Sequence, residues 1–466
     1  MKNSKLKSLM GLGLSLAMVI SLAACGKSEE KQEEGEETTR EATEGTEETT
    51  EETAEETTES HEPVALRFMW WGGDERHEAT VKAIEAFEAK YDWITIEPEY
   101  GSMDGYYEKM TTQLAAGSAP DIIQMGTGWL PGMIETSPDA LVDFTQYSID
   151  LSNYDSNFLE QNGYFNGGQY GLPTGIAGYN LIYNKTLADK IGIKFPDSKE
   201  ATTWDTLLEL GKQVQEYSSE AYLLDLEGYH LYACVLRPYL VQMVGAPMIA
   251  NGELTYTEEQ LVEVLTYIQA LYENGVIVPM QNIATYTNDT FYTDPKWVSG
   301  DTYVASFISA STAEPVSAAC PDSEFAIAYA PVMEGAKDDG YYADCPNYFC
   351  VAQCSENKEE AVMFLDWLIN SEEAAEILKT VRSVPATTVG QKVCEDLGEL
   401  DGIAKEAVDI LQNNYKGVNQ MGLSTEDEFK SICTDMLELI AYGQGTPEEI
   451  AKEYMVIMQE YVDSRS

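Results

Sequence analysis

The stretch 64–71 alternates Val64, Leu66, Phe68 and Trp70 with Ala65, Arg67, Met69 and Trp71, so both faces are largely apolar. That pattern predicts a strand buried between helices. Gly72-Gly73 turns the chain, and Asp74 can cap a helix over 74–91. In that helix Thr80, Ile84, Phe87 and Tyr91 recur at 4-3-4 spacing and share one face. A second strand is expected at 93–97, with Ile94 and Ile96 on one face, and such a β-α-β start implies a parallel pair with a right-handed crossover. A helix over 104–116 carries Tyr106, Met110 and Leu114, and Gly117-Ser118-Ala119-Pro120 ends it. A third strand covers 121–125, with Gly126-Thr127-Gly128-Trp129 as a loop beyond its end.

Downstream, 163–173 reads as a hairpin around Asn166-Gly167-Gly168, followed by an extended run over 174–184. The glycines in that run let backbone angles change cheaply, as a crossing between domains requires. A mostly helical region follows. Thr203-Trp204-Asp205 precedes a helix to about 217, and Thr257-Glu258-Glu259-Gln260 is a capping box opening a helix with Leu261, Leu265, Ile268 and Tyr272 inward. Strand character returns at 303–308 and 325–330, both assigned to the first lobe. Pro331-Val332-Met333 starts a second crossing, 347–353 is a strand, and Ser355 caps a helix to 370. Helices fill the remainder, the last announced by Thr446-Pro447-Glu448-Glu449. The domain reading is 1–24 signal peptide, 25–62 tether, 63–176 with 297–332 as lobe I, and 177–296 with 333–466 as lobe II.

In open α/β sheets ligands bind beyond the carboxyl ends of the strands, which brings Trp70, Trp71 and Trp129 to one rim. Strand alternation sends Trp70 and Trp71 to opposite faces, so one ring faces a ligand while the other packs under the helix. Trp71, which adjoins the Gly-Gly turn, is the expected ligand-facing ring.

At 466 residues two domains plus appendages are expected. The formal charge of -52, from 80 acidic against 28 basic residues, argues against a nucleic-acid partner and suits a self-repelling secreted protein. The N-terminus is a targeting segment. Lys2, Lys5 and Lys7 precede an apolar run over 9–22, too short to be read first as a spanning helix. Leu22-Ala23-Ala24-Cys25-Gly26 resembles the bacterial lipobox, which makes Cys25 the expected lipidation (palmitate) site of a membrane-tethered mature protein. Residues 26–62 hold 16 Glu against Lys27, Lys31 and Arg40 and almost nothing apolar. Such a segment is expected to be disordered, with a mean reach of roughly 30–35 Å. Cys234, Cys320, Cys345, Cys350, Cys354, Cys394 and Cys433 show no framework spacing and no CxxC beside His, and are read as small apolar residues; no metal and no cofactor is expected.

Trp70-Trp71-Gly72-Gly73, then 115–121 (Ala-Ala-Gly-Ser-Ala-Pro-Asp), Gly171-Leu172-Pro173 with Leu181-Ile182-Tyr183-Asn184-Lys185, Thr203-Trp204-Asp205 and the helix over 357–370 occur in an order similar to that of family 1 extracellular solute-binding proteins. These are the sugar receptors of ABC importers, the group of maltose-binding protein, and the match runs from about Val64 to the end. The resemblance implies an α/β, two-lobed type II periplasmic-binding-protein fold, with discontinuous domains joined by crossing strands and closing on a carbohydrate by hinge motion. It further implies ABC permease subunits as partners, a monomer, and a place on the extracellular face of the cell membrane. The Trp-Trp-Gly-Gly…Arg-His run also resembles oligogalacturonide receptors; Arg76 there could pair with a uronate carboxylate, or lie on a solvated helix face.

Independently of that resemblance, sugars present flat C–H faces to aromatic rings and hydroxyls to planar carboxylates and amides. The candidate ligand-binding residues are Trp70, Trp71, Asp74, Arg76, Asp121, Trp129, Tyr179, Asn180 and Trp297. Any single ring among them could equally serve core packing, as expected for Trp204, and Asp121 could equally cap a turn. Rival readings are a peptide or other solute receptor of the same architecture, a surface glycosidase, and a structural surface protein. The sequence lacks Gly-x-Ser-x-Gly, a phosphate loop and His-Glu-x-x-His, so an enzyme is not expected.

Overall fold

The computed structural model describes residues 61–196, 200, 202–226, 228–282 and 288–465. The expected signal segment, the expected lipidation site Cys25 and the expected tether as far as Ser60 therefore lie outside the described residues. Two large sheets are built from β1 (Val64–Trp71), β2 (Ile94–Gly101), β3 (Ile122–Gly126), β4 (Leu172–Pro173), β5 (Tyr179–Asn184), β6 (Tyr222–Leu224), β7 (Tyr303–Ser309), β8 (Phe325–Ala328) and β9 (Asn347–Val351).

The first sheet runs β2-β1-β3-β9-β4. β1 pairs in parallel with β2 and β3, as the β-α-β start implies, and β9 lies antiparallel to both β3 and β4. The period-two pattern of β1 sorts its side chains between two environments. Leu66, Phe68 and Trp70 pack with Ile84 and Phe87 of helix α1 (Asp74–Lys90) and with Phe364 and Trp367 of the helix Lys358–Asn370. Met69 instead joins Tyr106 and Met110 of α2 (Tyr106–Ala115) and Ile123 and Met125 of β3. The capping residue of α1 is Gly73, and Asp74 is its first helical residue. Ser355 is likewise not the cap of the Lys358 helix, which is Asn357; the Ser355 hydroxyl instead donates to Asp121 Oδ1 at 2.6 Å.

The second sheet runs β8-β5-β7-β6. This corrects the lobe assignment. β7 and β8, expected in lobe I, both pair with β5, while β9 and the helix after it, expected in lobe II, belong with β3 and α1. The reason is physical: every residue of β9 is buried, as are six of the seven in β7, so neither strand carries an alternation marking which sheet it joins. By pairing, the first lobe comprises 64–173 with 347–396, and the second 179–328 with 402–465.

The chain therefore passes between the sheets at 174–178, at 329–346 and at 397–401. The first two crossings are stitched to each other, Ala177 N–H donating to Asp344 O at 2.7 Å and Asp344 N–H returning to Ala177 O at 2.9 Å. Ile176 N–H donates to Val384 O at 2.8 Å. Gly178 ends the first crossing at φ +131°, and a Cβ built there would lie 2.7 Å from Leu411 Cδ2 and 3.0 Å from Tyr342 O. Gly178→Ala is thus expected to lower stability by about 1–3 kcal/mol, read as a reduced urea midpoint at unchanged slope. An unchanged midpoint would show that this crossing absorbs a side chain freely.

The hairpin forms as expected, Tyr164–Phe165 pairing with Gly168–Gln169 around Asn166 and Gly167, both at positive φ. The Thr257–Gln260 capping box is present, and Thr446 and Glu449 exchange the same pair of bonds at the start of the last helix. Among the described residues no helix is long and apolar enough to cross a membrane.

Candidate ligand cleft

The strand ends of both sheets open onto one cleft of about 1380 Å³. That exceeds the roughly 300–1,000 Å³ of common small-molecule pockets, leaving room for more than one sugar ring with water. One wall is aromatic and comes from the first lobe. Trp71, at the end of β1, packs edge-on to Tyr106 (centroids 4.8 Å apart) and beside Trp129 (5.3 Å). Tyr107 lies 5.0 Å from Trp129, and with Met103 it is exposed, at 42% and 56%. A rim of large apolar side chains left in water marks a contact surface.

Backbone geometry holds this wall. Trp129 sits just before helix α3 (Leu130–Thr136), its N–H donating to Gly126 O at 3.0 Å. A Cβ at Gly126 would meet the Trp129 ring at 2.7–3.0 Å, so the indole lies flat on the end of β3 only because that residue is glycine. Behind Trp71, its carbonyl accepts from Arg76 and from Gln124 Nε2, each at 3.4 Å, and Gln124 Oε1 accepts in turn from Arg382. Burial and the like charge of Arg76 pull the Arg382 guanidinium down to about 9, and burial alone pulls Arg76 down.

The opposite wall comes from the second lobe. Tyr179 opens β5, while Tyr229, Ala233 and Arg237 project from a helical stretch over 228–244 whose middle, Tyr232–Leu236, is a π-helical turn. Tyr341, Tyr342 and Asp344 of the second crossing form the floor, and Glu426, Asp427, Glu428, Lys430 and Arg465 the far rim. The rim charges are paired: Lys430 with Asp427 at 3.1 Å, Arg465 with Glu428 at 2.6 Å and Glu426 at 3.5 Å. Burial raises the Asp344 carboxyl and lifts the Tyr179 phenol well above its ordinary range, keeping that hydroxyl a neutral donor.

Of the nine expected residues, three line the cleft: Trp71, Trp129 and Tyr179. The other six lie elsewhere. Trp70 is fully buried under α1, donating from Nε1 to His77 Nδ1 at 3.1 Å, because the even-numbered side chains of β1 face that helix. Trp297 is buried in the second lobe, donating to Val316 O and stacked on Phe325. Asn180 points away from Tyr179 and donates to Ala407 O at 3.1 Å. Asp121 lies at the opposite end of β3, accepting from Arg67 N–H and the Ser355 hydroxyl. Asp74 lines a small groove with His77 and Tyr100 on the outside of α1, and Arg76 stands behind Trp71. The sequence reading missed Tyr107, Tyr229, Arg237, Tyr342 and Asp344. Tyr229, Ala233 and Arg237 are spaced four residues apart, but the run over 228–244 is apolar nearly all round, so that spacing does not single out a face.

His230 packs edge-on to Tyr179, centroids 5.6 Å apart, and burial lowers its imidazole from 6.5 to about 4. Between those values the unfolded chain takes up a proton that the folded chain excludes, so stability falls as pH drops through that window. At pH 4.5 the loss is about 2–3 kcal/mol relative to pH 7.5. Urea unfolding of the wild type and His230→Leu across pH 4.5–7.5 should show a shallower decline in the variant. The raised carboxyls of Asp338 and Asp344 act in the opposite sense in both proteins and cancel. Parallel declines would contradict the assignment.

A deep cleft between two α/β lobes joined by crossing segments is the architecture of a receptor that closes over a small solute. Residues 82–397 match the family described as bacterial extracellular solute-binding protein, and the chain belongs to it. A protein of Brucella abortus (strain 2308) named as a binding protein is 23% identical over 372 residues, 79% of this chain and 86% of that one. An oligogalacturonide binding protein from Yersinia enterocolitica superposes with a TM-score of 0.74 at 25% identity, covering 86% of this chain and 99% of that one. A designed cysteine esterase shares the fold as well, with a TM-score of 0.79 at 26% identity over 87% and 100% of the two chains.

Proposed function

We propose that the protein is an extracellular receptor, lipid-anchored at Cys25, that captures an oligosaccharide between its lobes as a monomer and delivers it to the permease subunits of an ABC importer. The observation carrying this reading is the pair of facing walls. Trp71, Tyr107 and Trp129 on one side and Tyr179 and Tyr229 on the other suit the flat C–H faces of successive sugar rings, and Asp344, Arg237 and the phenols suit their hydroxyls. Contacts to both walls are what a ligand needs in order to favour the closed state. The Yersinia enterocolitica protein is named for an oligogalacturonide, and a relative in Halalkalibacterium halodurans, 27% identical over 185 residues (38% of this chain and 39% of that one), for an arabinooligosaccharide.

Binding without turnover is favoured over hydrolysis. A glycosidase needs two free carboxyls flanking the bond, roughly 5–9.5 Å apart. Of the five carboxyls among the described residues lining the cleft, Glu426, Asp427 and Glu428 are engaged by cations and Asp344 Oδ1 accepts from Cys345 N–H, which leaves Asp139 without a second free carboxyl to work with. No cysteine or histidine is among the described residues lining the cleft, which also disfavours ester chemistry of the cysteine type. Titration calorimetry over an oligosaccharide panel, with product analysis, is expected to give micromolar or tighter binding of at least one member and no cleavage. Hydrolysis products, or binding of peptides alone, would overturn the reading.

A further inference from the structure

The cleft is lined by three cations, and one of them stands apart. Lys430 and Arg465 each have a carboxylate within ion-pair distance, whereas Arg237, the most buried of the three at 8% exposure, has none within 4.0 Å among the described residues. Its Nε is fully buried without a hydrogen-bond partner. The guanidinium carbon lies 5.8 Å from the centre of the Tyr232 ring, a contact that occupies none of its N–H donors with an acceptor oxygen. The acid nearest in role, Asp344, is turned to other partners: Oδ1 accepts from Cys345 N–H at 2.8 Å, and the Tyr342 hydroxyl donates to Oδ2 at 3.5 Å.

A guanidinium largely taken out of water with no carboxylate in direct contact is costly, and the attraction of Asp344, which Arg237 feels only at longer range, offsets part of that cost. Such a group in a ligand cleft is suited to a ligand that brings the missing anion. The planar fork of donors matches a carboxylate bidentately, and of the phenols around it Tyr179 and Tyr229, which share a hydrogen bond, have one donor between them to give a ligand, while Tyr342 gives its own to Asp344. The chain's charge of -52 repels anions at long range, so an acidic ligand needs a local cation of this kind.

We infer that Arg237 is the specificity-determining residue for a carboxylate on the ligand, and that the captured oligosaccharide carries uronate. This rests on the saccharide reading above and moves the carboxylate-recognising role from Arg76, which stands behind Trp71, to the second lobe.

The test is calorimetry with uronate-containing di- and trisaccharides, the same sugars as methyl esters, and neutral sugars of matching length. With the wild-type protein, esterification should weaken binding about tenfold to a hundredfold, the range of a charged hydrogen-bonded contact. This comparison needs no variant and so does not depend on one folding. Arg237→Gln, checked for an unchanged circular dichroism spectrum, should lose affinity for the acid and bind acid and ester alike, and Arg237→Lys should recover only part of the difference. Equal binding of acid and ester by the wild type overturns the inference and leaves the saccharide reading standing. An acid-to-ester ratio that survives in Arg237→Gln removes Arg237 from the role. Failure of every saccharide to bind overturns both.

Discussion

Trp70→Ala is expected to destabilise the protein by about 3–5 kcal/mol, the usual cost of removing a large aromatic from a packed core. Trp70 is completely buried, with ring centroids 4.8 Å from Phe68 and 5.1 Å from Tyr100, and its indole N–H is satisfied by His77. The change leaves a cavity between β1 and α1 and strands the His77 acceptor. Urea unfolding should show the loss as a lower midpoint. Where the protein remains folded, ligand affinity should stay within a few-fold of wild type, because the ring does not line the cleft. A loss under 1 kcal/mol would mean that the site collapses around the missing ring.

The second large effect falls on its neighbours. Trp129→Ala and Trp71→Ala are each expected to weaken saccharide binding by about 2 kcal/mol or more, roughly thirtyfold, as for a central aromatic anchor. Trp129 is the cleaner case, since it lies half-buried on the surface of the Gly126 turn and its loss opens no core cavity. Its urea midpoint should stay near wild type, and calorimetry reads the affinity. A Trp129→Ala protein that binds as tightly as wild type would remove this wall from the site.

These two tryptophans adjacent in sequence illustrate what was legible beforehand. The period-two pattern of β1 implied that Trp70 and Trp71 face opposite ways, and the Gly-Gly turn singled out Trp71 as the cleft-facing ring; in the fold Trp71 lines the cleft and Trp70 lies beneath α1. The β-α-β start, the caps at Thr257 and Thr446 and the hairpin were equally readable, because each rests on a local pattern, whereas the caps expected at Asp74 and Ser355 fall to Gly73 and Asn357. The partition of the later strands was not. β7 and β9 are buried throughout, so their residues carry no mark of which sheet they complete, and only long-range pairing decides it.

The second wall failed to register for a related reason. The stretch over 228–244 is apolar nearly all round, like any buried helix, and Arg237 within it looks like an isolated charge beside Pro238. Its place in the cleft depends on the π-helical turn before it and on where the second sheet sits, neither of which has a short-range signature. Asn180 and Trp297 show the converse error. Both have the right chemistry for a sugar, yet one lies on the inward face of β5 and the other in the core of the second lobe. Residue type proposed candidates, and tertiary position selected among them.

The most direct measurement of the central claim is a crystal structure with a bound oligosaccharide from the calorimetric panel. It is expected to show sugar rings between Trp71 and Trp129 on one side and Tyr179 and Tyr229 on the other, with the lobes closed about 174–178 and 329–346. A saccharide bound outside this cleft, or within it touching one lobe alone, would contradict the account.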